Sequence, residues 1–149
     1  MHVSFSHTNI VARDWRRLAS FYIDVFGCRP KPPERDLSGA WLDRLTALEA
    51  ATIRGIHLIL PGFGDDGPTL EIFQYDEHVP HPDKSINTLG FGHIAFAVDD
   101  VDACLAAVIE HGGSTVGETV RGTVDGVGAI HLVYARDPED NIIEIQTWE

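Results

Sequence analysis

His7-Thr8-Asn9-Ile10-Val11-Ala12-Arg13-Asp14 and, 86 residues further on, His93-Ile94-Ala95-Phe96-Ala97-Val98-Asp99-Asp100 open two copies of one pattern. At this offset Ile10 falls on Phe96, Asp14 on Asp100, Ile23 on Ile109 and Gly27 on Gly113. Later in each half, Gly55-Ile56-His57-Leu58-Ile59-Leu60 resembles Ala129-Ile130-His131-Leu132-Val133-Tyr134. An acid between aliphatics follows each: Glu71 between Leu70 and Ile72, and Glu144 between Ile143 and Ile145. A repeat constrains architecture more than any single motif, because each copy must be a supersecondary unit that its fellow completes.

Each copy reads as β, α, then a run of β. The first strand alternates, with Val3, Phe5 and His7 on one side in copy one, and with Ile94, Phe96 and Val98 opposite His93, Ala95 and Ala97 in copy two. The first helix opens on Asp14 as cap, carries Trp15, Leu18, Ala19, Tyr22, Val25 and Phe26 at helical spacing, and stops at Gly27. The second opens on Asp100, carries Val101, Cys104, Leu105, Val108 and Ile109, and ends at Gly112. Three strand candidates follow each helix, the last turn being Asp137-Pro138-Glu139-Asp140-Asn141 before Ile142 to Trp148. Copy one is longer, and the extra residues are placed in Lys31 to Ala50 and Pro61 to Pro68, where Pro, Gly and Asp crowd as in loops.

One copy has too little core to be stable alone. The expectation is therefore an α+β fold in which two paired βαβββ modules form one curved mixed sheet. It is read as one domain over 1–149, with module one at about 1–76, a linker at about 77–89 and module two at about 90–149.

Composition narrows the function. At 149 residues, 44% hydrophobic and 23% charged, the chain has the make-up of an ordinary globular domain. Net charge is −12 with Lys and Arg scattered, so nucleic acid is not expected as a partner and a small neutral or weakly charged substrate fits better. No apolar run nears the ~20 residues of a membrane span, and no secretory leader precedes the first strand, so a cytoplasmic location without membrane association is expected. Cys28 and Cys104 form no CxxC pair and read as reduced structural thiols.

The acids on the last strands carry the chemistry. A strand residue points away from its immediate neighbours, so Glu71 shares a face with Phe73, and Glu144 with Gln146. Either acid alone would read as the polar side of an alternating strand. Each, however, pairs with a histidine at the matching place in the repeat, giving two imidazoles and two carboxylates in twofold arrangement. Buried carboxylates repel one another, and a divalent cation removes that penalty while using the neutral imidazoles. His7, Glu71, His93 and Glu144 are therefore the expected ligands of one divalent metal ion. Zinc, nickel, cobalt, manganese, magnesium and iron all suit the mixed set.

Three marks, His7-Thr8-Asn9-Ile10-Val11 with Phe21-Tyr22 and Phe26-Gly27, Gly92-His93-Ile94-Ala95-Phe96-Ala97-Val98, and Asp137 to Glu144, resemble the vicinal oxygen chelate superfamily. That superfamily includes glyoxalase I, methylmalonyl-CoA epimerase, extradiol dioxygenases and bleomycin-resistance proteins. The resemblance implies that the sheet of eight strands wraps around a metal-floored cleft, with the same four ligands, and implies frequent dimers, hence a homodimer acting on a small molecule. By analogy with the glyoxalase and epimerase branches, Glu144 and Glu71 are candidate catalytic bases. Glu49 is the loose counterpart of a further glutamate in the epimerases. His57 and His131 are read as equivalent, facing either the outside of the sheet or a helix rather than serving as proton carriers.

Four protein ligands leave a six-coordinate ion too few open positions for an extradiol dioxygenase. Val11 and Tyr75 stand where glutathione-dependent glyoxalase I has arginine and asparagine, and the acidic chain advertises no basic rim for CoA. The reading is a divalent-metal-dependent isomerase or lyase of glyoxalase or epimerase type, acting on a small oxygenated carbonyl substrate through a metal-stabilised enolate. The alternatives are a metal-dependent dioxygenase or group-transfer enzyme, and a bleomycin-resistance-like binding protein.

Overall fold

A computed structural model describes all residues, Met1–Glu149. The chain forms two compact units, Met1–Pro80 and His81–Glu149, and each repeats the βαβββ plan.

The first unit runs β1 (His7–Val11), α1 (Trp15–Phe26), β2 (Arg29–Ser38), α2 (Ala40–Thr46), β3 (Thr52–Ile59) and β4 (Thr69–Tyr75). Asp14 caps α1 by accepting from the Arg17 amide at 3.1 Å. Gly27 ends it at φ 68°, a conformation that costs a residue without Cβ little. The helix stripe buries Trp15, Leu18, Ala19, Phe21, Tyr22 and Phe26, and α1 packs on β3 and β4, whose Ile56, Leu58, Leu70 and Ile72 supply the other half of this core. The sheet order is β1-β4-β3-β2, with β1 parallel to β4 and the other pairs antiparallel.

The second unit runs β5 (Ile94–Ala97), α3 (Val101–Glu110), β6 (Ser114–Thr115), β7 (Val120–Val124), β8 (Gly128–Arg136) and β9 (Ile142–Trp148). Asp100 caps α3 through the Ala103 amide at 2.9 Å. The sheet order is β5-β9-β8-β6, and β7 also pairs with β8, so β6 and β7 are one edge strand in two pieces. In the turn before β9, the buried Asp137 carboxylate accepts from the amides of Glu139 and Asn141, each at 2.9 Å, and from the Asn141 side chain.

The α+β class and the two βαβββ modules agree with the sequence reading, with three differences. The ladders form two mixed sheets, one in each module, rather than one curved sheet; each strand finds its partners within its own repeat, which leaves β1 and β5 as edge strands. The stretch from Lys31 to Ala50, read as loop, holds most of β2 and all of α2. Proline is compatible with an edge strand, where Pro30, Pro32 and Pro33 sit in β2. The helix α2 escapes detection because Gly39 gives it no side-chain cap and Ala47, not glycine, ends it in the left-handed region. Finally, β1 begins at His7, and Val3 and Phe5, read as part of it, are exposed.

Candidate functional site

Glu71 is the centre of the first unit's site. Cross-strand register places Lys31, His57, Glu71 and Asn9 in one row across β2, β3, β4 and β1, and residues in direct register share a face. This is the face opposite α1. One end of it is closed by α2, where Leu42, Ala51 and Ile53 cluster with Leu37, Phe73 and Tyr75. The open end is polar. Glu71 Oε2 accepts from Asn9 Nδ2 at 2.8 Å, Glu71 Oε1 lies 2.9 Å from His57 Nε2, and His7 Nε2 stands 3.6 Å from Oε2. The far nitrogen of His57, Nδ1, meets Thr69 Oγ1 at 2.9 Å, which fixes the ring. The His7 and His57 rings meet edge to face, with centroids 5.4 Å apart.

Burial holds His57 below its ordinary pKa; Glu71 opposes this, while Arg35, His7 and Lys31 add to it. A neutral imidazole is the form that binds metals. The ligand atoms of His7, His57 and Glu71 all lie within 4.8 Å of one another. Two imidazoles and a carboxylate so disposed suit a divalent transition ion or zinc.

In the second unit Glu144 lies opposite Ala95 on β5 and Tyr134 on β8. His93 Nε2 is 3.1 Å from Glu144 Oε2, and its ring lies 5.2 Å from that of Tyr134. Burial first, then a hydrogen bond to Glu144 and its charge, raises the Tyr134 pKa, so the phenol stays protonated and donates. Ala95 and Ala97 flank the strand-facing side of Glu144 and Gln146 with minimal bulk.

The structure thus joins His7 with Glu71, and His93 with Glu144, each pair inside its own module. Glu49 stands apart from the first group. It is exposed between α2 and β3, lining a cavity of about 510 Å³ with Tyr75 and Asp76.

The equivalence of His57 with His131 is corrected. The residue opposite Glu144 is Tyr134, and His131 pairs with Thr147 on the other face, buried and 4.0 Å from Asp102 of α3. His131 therefore faces a helix as expected, whereas His57 turns to Glu71. Asn9, His57 and Tyr134 are the site residues that sequence reasoning missed or misplaced. Asn9 was findable, since it lies two residues from His7 on the same strand face.

Comparison with known proteins agrees with this fold. Residues 4–145 match the Glyoxalase/Bleomycin resistance protein/Dioxygenase superfamily, and the chain belongs to that superfamily. A glyoxalase family protein from Bacillus cereus superimposes with a TM-score of 0.83 at 20% identity, covering 99% of this chain and 95% of that one. A glyoxalase I mutant from Zea mays does so at 0.61 and 26% identity, covering 95% of this chain and 43% of the other. A probable lactoylglutathione lyase of Vibrio parahaemolyticus is 40% identical over 55 residues, a stretch that spans 37% of this chain and 38% of that protein. No helix is long and apolar enough to cross a membrane.

Proposed function

We propose that this protein is a divalent-metal-dependent isomerase or lyase of the glyoxalase or epimerase type, acting on a small oxygenated carbonyl compound. The observation that carries the reading is the repetition of one histidine–glutamate contact, His7 with Glu71 and His93 with Glu144, in both modules. The partial likeness to a lactoylglutathione lyase supports the same branch. His7, Glu71, His93 and Glu144 are the residues assigned to hold the ion. A bound divalent ion supplies Lewis acidity, polarising a carbonyl oxygen and acidifying the adjacent C–H.

The chain's own groups then divide the work. Asn9 and His57 clasp both oxygens of Glu71, which keeps that carboxylate in one orientation. Glu144 meets His93 and lies opposite Tyr134, and where Glu71 has Asn9 across the ladder Glu144 faces Ala95. We assign Glu144 as the base that takes the substrate's α-proton on a carboxylate oxygen and returns it at the neighbouring position. Tyr134, protonated, orients the oxygen to which it donates. Glu71 is the corresponding group in the other module, and Glu49 receives no role.

Metal content per chain in purified protein, before and after His7→Ala, tests the ligand assignment. The reaction is tested by exchange of α-protons with deuterated solvent in a panel of small α-hydroxy and α-thio carbonyl compounds. About one ion per chain, lost in the variant, with exchange that depends on Glu144, supports the reading. Failure to take up any ion, or oxygen consumption without exchange, overturns it.

A further inference from the structure

Beside His57, on the same side of the first sheet, a cavity of about 360 Å³ is walled by Lys31, Arg35, His57, Asp66 and Thr69. Its volume is that of a small-metabolite site. Of the eight lysines and arginines in the first unit, Lys31 and Arg35 are the two that are half-buried; the other six are exposed. The two cations also differ from Arg16, Arg29 and Arg54, each of which meets a carboxylate. Lys31 instead donates to the backbone carbonyl of Asp65 at 2.7 Å, and Arg35 to that of Pro33. Their charge is not neutralised by an acid in an ion pair.

The backbone brings these two cations together. Lys31 pairs with His57 and Arg35 with Gly55, so a register shift lets five residues of β2 oppose three of β3. In an unshifted ladder Pro33, not Arg35, would face Gly55. The irregularity therefore sets a guanidinium one side-chain step from an ammonium, beside His57. Opposite Arg35, Gly55 has no side chain to intrude. Arg offers a planar fork of donors and Lys a point charge, a pair suited to an oxyanion. Asp66 supplies one opposing charge, which leaves the wall net positive in a chain of net charge −12.

We propose that this cavity seats an anionic group of the substrate, a carboxylate or phosphate, gripped by Lys31 and Arg35 next to the His7, His57 and Glu71 cluster. The placement of that group relative to the chemistry rests on the function proposed above; the binding of the oxyanion does not. A net charge of −12 does not oppose such a ligand, because local charge and not net charge governs a cavity.

The test is titration of the full-length protein with inorganic phosphate and, separately, with succinate, followed by amide shifts of Gly67, Thr69 and their neighbours. It is run on protein as purified and again after dialysis against a chelator. Saturable shifts are expected for at least one of the two probes in both preparations, and the one that saturates at lower concentration identifies phosphate or carboxylate. Lys31→Gln with Arg35→Gln should weaken binding at least tenfold. Asp66→Asn, which leaves both cations in place, should tighten it severalfold. Arg54→Gln, which removes an exposed cation that does not line the cavity, should leave it unchanged, and binding that persists after chelation separates this result from the metal reading. Absence of saturable shifts with both probes, or shifts indifferent to the double substitution, overturns the proposal.

Discussion

His57 lies directly across the β3–β4 ladder from Glu71, its Nε2 2.9 Å from Oε1, and Tyr134 stands in the same register to Glu144 in the other module. One strand position thus holds an imidazole in one repeat and a phenol in the other. The imidazole can bind an ion or support a carboxylate that does. The phenol, kept protonated, keeps a proton to donate to the carboxylate at neutral pH.

His57→Ala should therefore weaken metal binding about 10- to 100-fold, the usual cost of removing a group that orients a ligand. Competition with a chromogenic chelator measures it. His93→Ala should cost more, since it removes a ligand itself. Equal affinity in wild type and His57→Ala would show that Asn9 alone suffices to hold Glu71.

Glu144→Gln should fold normally and lose α-proton exchange. The side chain stays isosteric, and the cores under α1 and α3 do not involve it. Thermal melting checks the first half of this expectation and exchange in deuterated buffer the second. Full exchange in the variant would remove Glu144 from its assigned role.

Asp137→Ala should destabilise the second unit by about 1–3 kcal/mol, because it leaves several half-buried donors in the Asp137–Asn141 turn without their acceptor. Asp137→Asn should recover part of this. Chemical denaturation monitored on Trp148 reports both variants.

Gly55→Ala should be among the most damaging small substitutions. A Cβ there would lie 2.0 Å from the Ile72 carbonyl oxygen, which is backbone and cannot swing aside, and 2.6 Å from the Phe73 ring. Loss of soluble expression, or a fall in melting temperature well beyond that of Gly122→Ala, is expected; a Cβ at Gly122 meets nothing within 4 Å.

Cys28 should resist alkylation at pH 8. Burial pushes its thiol up to about 11 from 9.0. The unfolded chain releases the proton above about pH 9 while the folded one keeps it, so this contribution to stability is complete below pH 9 and is lost as pH rises toward 11. Iodoacetamide labelling with and without denaturant, and melts from pH 8 to 11, measure the two effects.

The repeat, the Asp14 and Asp100 caps and the strand face taken by Glu71 and Glu144 were legible in the sequence, because each follows from spacing along the chain. What crosses between strands was not. Ile56-His57-Leu58 resembles Ile130-His131-Leu132, yet the two histidines face opposite sides of their sheets. Fourteen residues separate His57 from Glu71 and thirteen separate His131 from Glu144. A difference of one residue inverts the face, since side chains alternate along a strand. The Lys31–Arg35 pairing was hidden for the same reason, its register being set by an irregularity that leaves no compositional mark.

The three prolines of β2 reach beyond the site they flank. An open sheet margin ordinarily recruits further strands, from a neighbouring copy or from a misfolded one. Pro30, Pro32 and Pro33 carry no amide hydrogen, so this margin cannot offer an unbroken row of donors to an incoming chain. The segment that carries Lys31 toward the cavity thus also makes that side a poor template for strand addition.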